Sequence, residues 1–271
     1  MSSSPKIMGI LNITPDSFYD GGRYWGDVAI AHAITMSKQG ADWIDVGGES
    51  TRPGAAFISE DEECDRVIPI IERLTQEIAT PISIDSRRAK VIRAAIAAGA
   101  TLVNDVQALT DPLVLECISK APKFVQVCLM HMQGNPTTMQ QQPQYSNVIQ
   151  DIFTFLKNRI ESCERAGIEK ERIWIDPGFG FGKTLDHNLI LLANLSYFKT
   201  LGCRLCVGLS RKSMFKDLLD RAVENRLSGS LTAALIAVMQ GASMIRTHDV
   251  EETKDALSVF CAVQERSFHA A

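Results

Sequence analysis

The residues of this chain best suited to chemistry are polar side chains that directly follow short apolar runs. Asp85, Asn104 and Asp176 end the third, fourth and sixth of these runs. Carboxylates accept hydrogen bonds from N–H groups, and an asparagine amide both donates and accepts. If these three side chains lie on one face of the fold, together they suit a heterocycle with amide-like edges. Each alone could instead cap the helix that follows it, but three together favour ligand binding.

Cationic side chains follow the last two apolar runs. The segment SRKS (residues 210–213) comes after the seventh run, and Arg246 and His248 follow the eighth. Cations on two neighbouring loops fit an anion with two or three charges, such as a phosphate near a helix N-terminus. The alternative is a solvated basic surface, which is usual for isolated Lys and Arg. The shared position after an apolar run favours the anion site.

The glycine-rich segment DPGFGFGKT (residues 176–184) invites comparison with a phosphate-binding P-loop. That loop reads G-x-x-x-x-G-K-[ST], and counting back from Lys183 puts Pro177 where the first glycine is required. No convincing metal-binding acid follows a later apolar run either. We therefore interpret the segment as a strand end followed by a turn whose glycines let the backbone approach a flat ligand closely.

Metal ligands are suggested at one place in the chain. Asn12 and Asp16 follow the first apolar run, where their oxygens could hold Mg²⁺ against a pyrophosphate. His131 follows the fifth run, but a lone histidine is more often structural. Cys203 and Cys206 form a CxxC without the second ligand pair of a zinc site. The seven cysteines have apolar neighbours, so packing is the preferred interpretation of this pair.

The apolar runs themselves predict the fold. There are eight, at residues 7–11, 43–46, 82–84, 102–103, 125–130, 173–175, 205–209 and 244–245. Between most of them lies a stretch with helical spacing, and the runs are apolar throughout, as in a parallel sheet buried on both faces. This order predicts a closed (β/α)8 TIM barrel in a single domain of residues 1–271, with the barrel from about residue 6 to about residue 265. In such barrels, the C-terminal ends of the strands share one face, which carries the active site.

Capping and glycine signals indicate where helices begin and end. Ser59 and Glu62 form an S-x-x-E capping box before an apolar stripe, and Pro69 should kink the helix that follows. Glycines are expected to end three further helices, at Gly99, Gly167 and Gly241. Two long loops, residues 12–26 and 47–59, contain glycines and are candidates for lids over the site.

Composition limits the kinds of partner that this chain can have. The net charge of −4, without a dense Lys/Arg run, argues against a nucleic-acid partner held through its phosphates. No apolar run approaches the roughly 18–20 residues of a membrane span, and the N-terminus lacks a charged-then-apolar signal segment. We therefore expect small-molecule substrates, no nucleic acid, no membrane association and a cytoplasmic location.

Longer motifs show a resemblance to a known family. MGILNITPDSFYDGG (residues 8–22) resembles the first signature of the dihydropteroate synthase family, and VGGESTRPG (residues 46–54) resembles the second. Six further motifs match in order: SIDS (83–86), ND (104–105), CLMHMQGNP (128–136), DPGFGFGK (176–183), GLSRKS (208–213) and IRTHDV (245–250). The resemblance covers essentially the whole chain. Ser86, Gln107 and Thr247 depart from the common pattern, and none of these departures removes a functional group.

The resemblance implies a barrel that performs a step of folate synthesis. p-Aminobenzoate would be joined to 6-hydroxymethyl-7,8-dihydropterin pyrophosphate, giving 7,8-dihydropteroate and pyrophosphate. Pterin binding is implied for Asp85, Asn104, Asp176 and Lys212. Pyrophosphate binding is implied for Arg246 and His248 directly and for Asn12 through Mg²⁺. Proximity to the p-aminobenzoate pocket is implied for Phe18, Thr51, Arg52, Pro53, Phe181 and Ser213. The expected catalytic residues are Asp85, Lys212, Arg246 and His248.

The implied reaction is a largely dissociative substitution at the pterin methylene carbon. An arylamine is a weak nucleophile, so the leaving group must depart early, assisted by Mg²⁺, Arg246 and His248. Asp85 and Asp176 can stabilise the methylene cation, while closed loops exclude competing water. A non-catalytic pterin carrier and a pterin-binding methyltransferase barrel remain as alternatives. The family is usually dimeric, so the resemblance also implies a homodimer. Separately, it implies that the protein is a target of sulfonamides.

Overall fold

The molecule is a closed barrel of eight parallel strands that follow one another in sequence order. The structure, a computed structural model, describes residues 4–13, 24–49, 58–134, 139 and 143–266. The strands are β1 (Lys6–Asn12), β2 (Trp43–Gly47), β3 (Ile82–Asp85), β4 (Leu102–Asp105), β5 (Gln126–Met130), β6 (Ile173–Asp176), β7 (Arg204–Gly208) and β8 (Met244–Thr247). All eight predicted strands are present, so the TIM-barrel prediction is confirmed.

Helices alternate with the strands along the chain. They are α1 (Tyr24–Lys38), α2 (Glu60–Glu77), α3 (Ala89–Ala97), α4 (Pro112–Lys120), α5 (Val148–Arg165), α6 (Leu185–Ala193), α7 (Met214–Leu219), α8 (Leu227–Met239) and α9 (Val250–Gln264). Short 3₁₀ turns occur at Lys170–Arg172, Leu195–Leu201 and Val223–Asn225. Among the described residues, no helix has the length and apolar character that a membrane crossing requires.

The ends of several helices follow the local sequence signals. Ser59 Oγ accepts a hydrogen bond from the backbone N of Glu62 at 3.1 Å, which is the Ser59 half of the predicted capping box. The carboxylate of Glu62 accepts from Arg66 at 3.2 Å. Pro69 lies inside α2, and the helix continues through it. The three predicted stop glycines have positive φ angles two residues beyond α3, α5 and α8: Gly99 (+112°), Gly167 (+85°) and Gly241 (+101°).

The apolar core forms two clusters separated by the barrel wall. The larger cluster lies between strands and helices and includes residues from every strand. The smaller cluster fills the barrel and consists of Met8, Leu102, Cys128, Trp174, Cys206 and Met244. Successive side chains of a strand point to opposite faces, so both sides of each strand are buried and its sequence is apolar throughout. Cys206 belongs to the inner cluster, whereas Cys203 packs against the outer one.

The N-terminal end of the barrel is closed by polar and aromatic side chains. The guanidinium of Arg204 lies 4.1 Å from the centre of the Trp174 ring, within the range of a cation–π contact. Gln126 Oε1 accepts hydrogen bonds from Trp174 Nε1 at 2.6 Å and from Arg204 at 2.9 Å. These contacts occupy the end of the barrel opposite the predicted active-site face.

The register of neighbouring strands determines which side chains meet at the C-terminal face. Asn12 pairs with Gly47, Gly47 with Asp85, and Asp85 with Asn104. The last residues of β1, β2 and β3 and the penultimate residue of β4 therefore lie in one row. Because side chains alternate across each strand, Asn12, Asp85 and Asn104 share the inner face of the barrel. The fold thus brings together residues that are up to 92 positions apart in the chain.

Candidate active site

The candidate site is organised around Arg246 in β8. Its Nε donates to Asp45 Oδ2 at 2.6 Å, and its Nη2 donates to Asp85 Oδ2 at 2.8 Å. Asn104 Nδ2 donates to the same Asp45 oxygen at 3.2 Å. One guanidinium therefore bridges the carboxylates of β2 and β3, and the amide of β4 joins them. The family resemblance implies that Arg246 and Asp85 bind different parts of the substrate, whereas the structure places them in direct contact.

Asp45 is the residue of this cluster that the sequence analysis missed. It is fully buried in β2 and lies within an apolar run rather than after one. A signal was present, since an acid within an apolar strand needs a buried cation or hydrogen-bond donor. Asp45 Oδ1 and Ser83 Oγ are buried without a hydrogen-bond partner among the described residues. The two residues are register partners on β2 and β3.

Burial and neighbouring charges shift the pKa values in this cluster. Burial raises the pKa of Asp85 to about 7, with Arg246 opposing the rise and Asp45 adding to it. Burial acts to lower the pKa of Arg246, but Asp45 and Asp85 outweigh it and raise that pKa well above its usual value. Near neutral pH, Arg246 is therefore a permanent cation, whereas Asp85 exchanges a proton and can either donate or accept a hydrogen bond.

Asp176 and Lys212 line another side of the site. Asp176 Oδ1 accepts a hydrogen bond from the backbone N of Gly178 at 2.7 Å. One oxygen thus caps the turn, whereas Thr184 rather than Asp176 caps the helix that follows; the other oxygen of Asp176 would serve a ligand. Lys212 Nζ lies 4.2 Å from the centre of the Phe181 ring. Burial, and then the charge of Arg246, lower the pKa of Lys212 to about 8. Burial also raises the pKa of Asp176, and the bond from Gly178 opposes that rise.

The glycine-rich turn after β6 is fastened from behind by Lys183. Its glycines have left-handed backbone conformations: φ is +72° at Gly178, +78° at Gly180 and +64° at Gly182. Lys183 is 3% exposed, and its Nζ donates to the carbonyl oxygens of Gly178 at 2.8 Å and of Phe181 at 3.0 Å. A lysine enclosed by its own turn does not present its ammonium to a phosphate. The contacts therefore support a structural turn over a P-loop.

His131 packs behind the same turn. Its Nδ1 lies 3.1 Å from Lys183 Nζ, and its ring meets Phe155 edge to face with centroids 5.0 Å apart. Burial, with the adjacent Lys183, lowers the pKa of His131 to about 3. Burial likewise lowers the pKa of Lys183 to about 7. These contacts are those of a structural histidine, which is how the sequence analysis interpreted it.

The loops after β7 and β8 are linked through Ser210 and Arg211. Ser210 Oγ lies 3.0 Å from His248 Nδ1 and 3.4 Å from Asp249 Oδ2. Arg211 forms a bidentate ion pair with Asp249, with an Nε–Oδ2 distance of 3.0 Å and an Nη2–Oδ1 distance of 2.5 Å. Arg211 therefore braces the two loops. The cations grouped on these loops by the sequence thus divide into a structural Arg211 and the site cations Lys212 and Arg246.

Comparison with known proteins identifies relatives along nearly the whole chain. Residues 8–248 match the family described as pterin binding enzyme. The dihydropteroate synthase of Escherichia coli K12 is 50% identical over 258 residues, which cover 95% of this chain and 91% of that protein. The chain belongs to the dihydropteroate synthase family. The enzyme classification and the family resemblance drawn from the motifs are thereby confirmed.

Solved structures of family members share the fold closely. The Yersinia pestis dihydropteroate synthase with a sulfonamide drug has a TM-score of 0.91 and 48% identity, covering 98% of this chain and 96% of that one. The Xanthomonas albilineans dihydropteroate synthase with 4-aminobenzoic acid has a TM-score of 0.91 and 46% identity, covering 98% of this chain and 95% of that one.

Asn12 is the described residue that the family resemblance assigns to Mg²⁺. It ends β1 beside Gly47, where a Cβ would lie 3.7 Å from both Asn12 Oδ1 and Asp85 Oδ2. Asp85 Oδ2 already accepts from Arg246, so Asn12 Oδ1 is the oxygen here that would serve Mg²⁺, which prefers oxygen ligands. Within the described residues, no group of three His, Cys, Asp or Glu side chains could hold a metal. The donors present fit an ion that takes most of its ligands from water and phosphate.

The remaining predicted site residues have different outcomes. Ser213 is exposed and directly precedes α7, and Phe181 is half-buried beside Lys212. Five predicted residues lie outside the described residues: Phe18, Thr51, Arg52 and Pro53 of the expected p-aminobenzoate pocket, and Asp16 of the expected Mg²⁺ site. The same holds for most of the two loops expected to act as lids.

Proposed function

We propose that this protein is a transferase that joins p-aminobenzoate to 6-hydroxymethyl-7,8-dihydropterin pyrophosphate, giving 7,8-dihydropteroate and pyrophosphate. One observation carries the proposal: Arg246 lies directly between the acids suited to a pterin and the cations suited to a pyrophosphate. A substrate that contains both groups explains why they share one site. The E. coli relative bears the name of this activity, and the X. albilineans relative has been solved with 4-aminobenzoic acid.

The pterin would lie on the inner face of the barrel between β4 and β6. Asn104 Nδ2 donates one of its two hydrogens to Asp45, so its Oδ1 and its second N–H would serve the ligand. Asp176 retains one carboxylate oxygen for the N–H groups of the pyrimidine edge, and Lys212 donates to the acceptors of the ring. Asp85, with its pKa raised to about 7 by burial, accepts or donates according to its proton.

The pyrophosphate would leave toward the loops after β7 and β8. Its C–O bond breaks ahead of formation of the new C–N bond, because an arylamine is a weak nucleophile. Arg246 and Lys212 donate hydrogen bonds to the departing oxygens, and Arg246 is already oriented by Asp45 and Asp85. Donors fixed before the reaction stabilise developing charge without reorganisation. Mg²⁺ held by Asn12 would neutralise further charge on the pyrophosphate.

Release of pyrophosphate separates this proposal from its alternatives. Purified protein is supplied with pterin pyrophosphate, p-aminobenzoate and Mg²⁺, and dihydropteroate and pyrophosphate are quantified together. Equal amounts of both products are expected. A pterin carrier would release neither, and a methyltransferase barrel would bind pterin without releasing pyrophosphate.

Arg246→Gln provides the matched test of the leaving-group site. Loss of a preorganised donor should lower the catalytic rate by about a hundredfold or more. Arg165→Gln, at the exposed end of α5, should leave the rate unchanged. Equal rates for Arg246→Gln and the unsubstituted protein would exclude a leaving-group role for this guanidinium.

We further propose that the protein is a cytoplasmic homodimer and a target of sulfonamides. The apolar side chains Leu218, Met239, Val259 and Val263, on α7, α8 and α9, are at least half exposed, which supports an association surface. The Y. pestis relative has been solved with a sulfonamide drug. Sedimentation should give a species of twice the 29.8 kDa chain mass, and sulfonamides should compete with p-aminobenzoate. A single-chain mass at micromolar concentration would exclude the dimer.

A further inference from the structure

Ser210 contacts three polar groups, and two of them compete for its one hydroxyl proton. Its Oγ accepts a hydrogen bond from the backbone N of His248 at 3.1 Å. The single O–H can then be directed either to His248 Nδ1, 3.0 Å away, or to Asp249 Oδ2, 3.4 Å away. Asp249 is fixed by its bidentate pair with Arg211. The hydroxyl therefore has two defined orientations, and the shorter contact is to the imidazole.

The charges around His248 disfavour a protonated imidazole in the free protein. Burial lowers the pKa of His248 to about 4, and Arg246, Arg211 and Lys212 contribute to the fall while Asp249 opposes it. At neutral pH the ring is therefore neutral. A hydroxyl that donates to Nδ1 leaves the ring proton on Nε2. A bound polyanion would reverse this field, because it offsets the three cations and favours a positive imidazolium.

We propose that Ser210 is a positioning residue that switches His248 between two hydrogen-bonding states. In the free protein, Ser210 donates to Nδ1 and holds the Nε2–H tautomer. When pyrophosphate binds, His248 takes up a proton from solvent, Nδ1–H donates to Ser210 Oγ, and the hydroxyl turns to Asp249. In both states the Ser210 hydroxyl proton has an acceptor, and in the second state Nδ1–H has one as well. The inference rests on the proposed function only in naming pyrophosphate as the anion.

Nitrogen NMR of the imidazoles tests this switch directly. The chain has five histidines, and a His248→Gln variant assigns the signals of His248. In ¹⁵N-histidine-labelled protein at pH 7, the shifts should show a neutral Nε2–H ring. Saturation with Mg²⁺ and inorganic pyrophosphate should convert it to imidazolium. The ring is observed rather than total proton uptake, because pyrophosphate itself titrates near neutral pH. A free-protein Nδ1–H tautomer, or a ring that stays neutral with pyrophosphate, would overturn the proposal.

Variants of Ser210 distinguish a role in positioning the His248 ring from a role in the stability of the fold alone. Ser210→Ala removes the partner of Nδ1, so both tautomers should be populated, protonation with pyrophosphate should be incomplete, and the affinity for pyrophosphate should fall by about tenfold. Ser210→Thr keeps the hydroxyl and should restore the wild-type spectrum. Ser258→Ala, on the exposed side of α9, is the control for serine loss. Wild-type spectra in folded Ser210→Ala would refute the role of Ser210.

The NMR result for His248 does not depend on whether the protein catalyses the condensation. Loss of dihydropteroate synthesis together with the expected imidazole shifts would remove the proposed function and leave this switch intact. Normal synthesis with a His248 ring that stays neutral when pyrophosphate binds would remove the switch and leave the proposed function intact. In an active protein, Ser210→Ala should raise the KM for pterin pyrophosphate more than it lowers kcat, since the free imidazole is no longer fixed for binding.

Discussion

Asp45 and Asp85 share the guanidinium of Arg246, and the charge of Asp45 acts on the ionisation of Asp85. The negative charge of Asp45 helps to raise the pKa of Asp85 to about 7, after the larger effect of burial. Asp45→Asn keeps the side-chain shape and removes that charge. We expect the pKa of Asp85 to fall, as measured by ¹³C NMR of the aspartate carboxyl groups. An unchanged titration of Asp85 would mean that the charge of Asp45 does not contribute to this pKa.

Asp176 serves the turn and the ligand with different oxygens. In Asp176→Asn, the amide Oδ1 can still accept from Gly178, so the turn should persist, but the charged acceptor for the pterin edge is gone. Loss of a charge-assisted pair costs roughly 1.5–3 kcal/mol, about ten- to a hundredfold in affinity. Calorimetry with the pterin measures this, and Asp186→Asn, at an exposed position in the first turn of α6, is the control. Unchanged affinity would leave Asp176 with capping alone.

The turn after β6 shows how an element imposes the geometry of a site. Gly178 has a φ of +72°, and a Cβ there would overlap the carbonyl oxygen of His131. Gly167 has a φ of +85° with no atom within 4 Å of its Cβ position. Gly167→Ala should therefore cost about 1–2 kcal/mol from the left-handed backbone alone. Gly178→Ala should cost clearly more, because the strand end must also move.

Urea unfolding of the two glycine variants measures that difference. The excess destabilisation of Gly178→Ala over Gly167→Ala isolates the close approach of the turn to the end of β5. Pterin affinity should fall only in Gly178→Ala, since Asp176 is bonded to the N–H of this glycine. If both variants lose equal stability, the close packing of the turn against His131 is not a constraint.

The stability of the whole molecule should depend on His131 under acidic conditions. Its pKa is lowered to about 3 by burial, whereas an unfolded histidine titrates near 6.5. The unfolded state therefore binds the proton first, and stability present above pH 6.5 is lost as pH falls toward 3. His131→Gln cannot gain this proton. The gap in unfolding free energy between wild type and His131→Gln should narrow by about 1.4 kcal/mol per pH unit between pH 6 and 4.

Denaturant unfolding across this pH range tests the linkage. Other groups shift in the opposite sense: burial raises the pKa values of Asp85 to about 7 and of Asp105 to about 6, so their folded forms hold protons that the unfolded chain releases. Wild type and His131→Gln both contain these carboxylates, so the difference between their unfolding free energies cancels that contribution. Above pH 7, the unfolding free energies of wild type and His131→Gln should change with pH in the same way. A difference in unfolding free energy that stays constant down to pH 4 would mean that His131 takes up its proton in the folded state as readily as in the unfolded state.

The sequence by itself determined the barrel and most of the strand-end residues. A strand buried on both faces must be apolar throughout, so the eight runs were visible locally, as were the Ser59 cap and the stop glycines. Polar residues after these runs had to meet on one face, because closure of a parallel barrel puts all the strand ends together. Asp85, Asn104, Asp176 and Arg246 were located by this reasoning.

Only the tertiary structure decided which of these residues interact. Strand register and closure between β1 and β8 bring Asp45, Asp85 and Arg246 together, across as many as 201 positions, and no local pattern encodes that distance. Asp45 was hidden because its run looked apolar, and Arg211 looked like a substrate cation until its pair with Asp249 was seen. Residue type fixes which hydrogen bonds and charges a side chain can offer. Its neighbours in space decide whether those are used by the fold or left for a ligand.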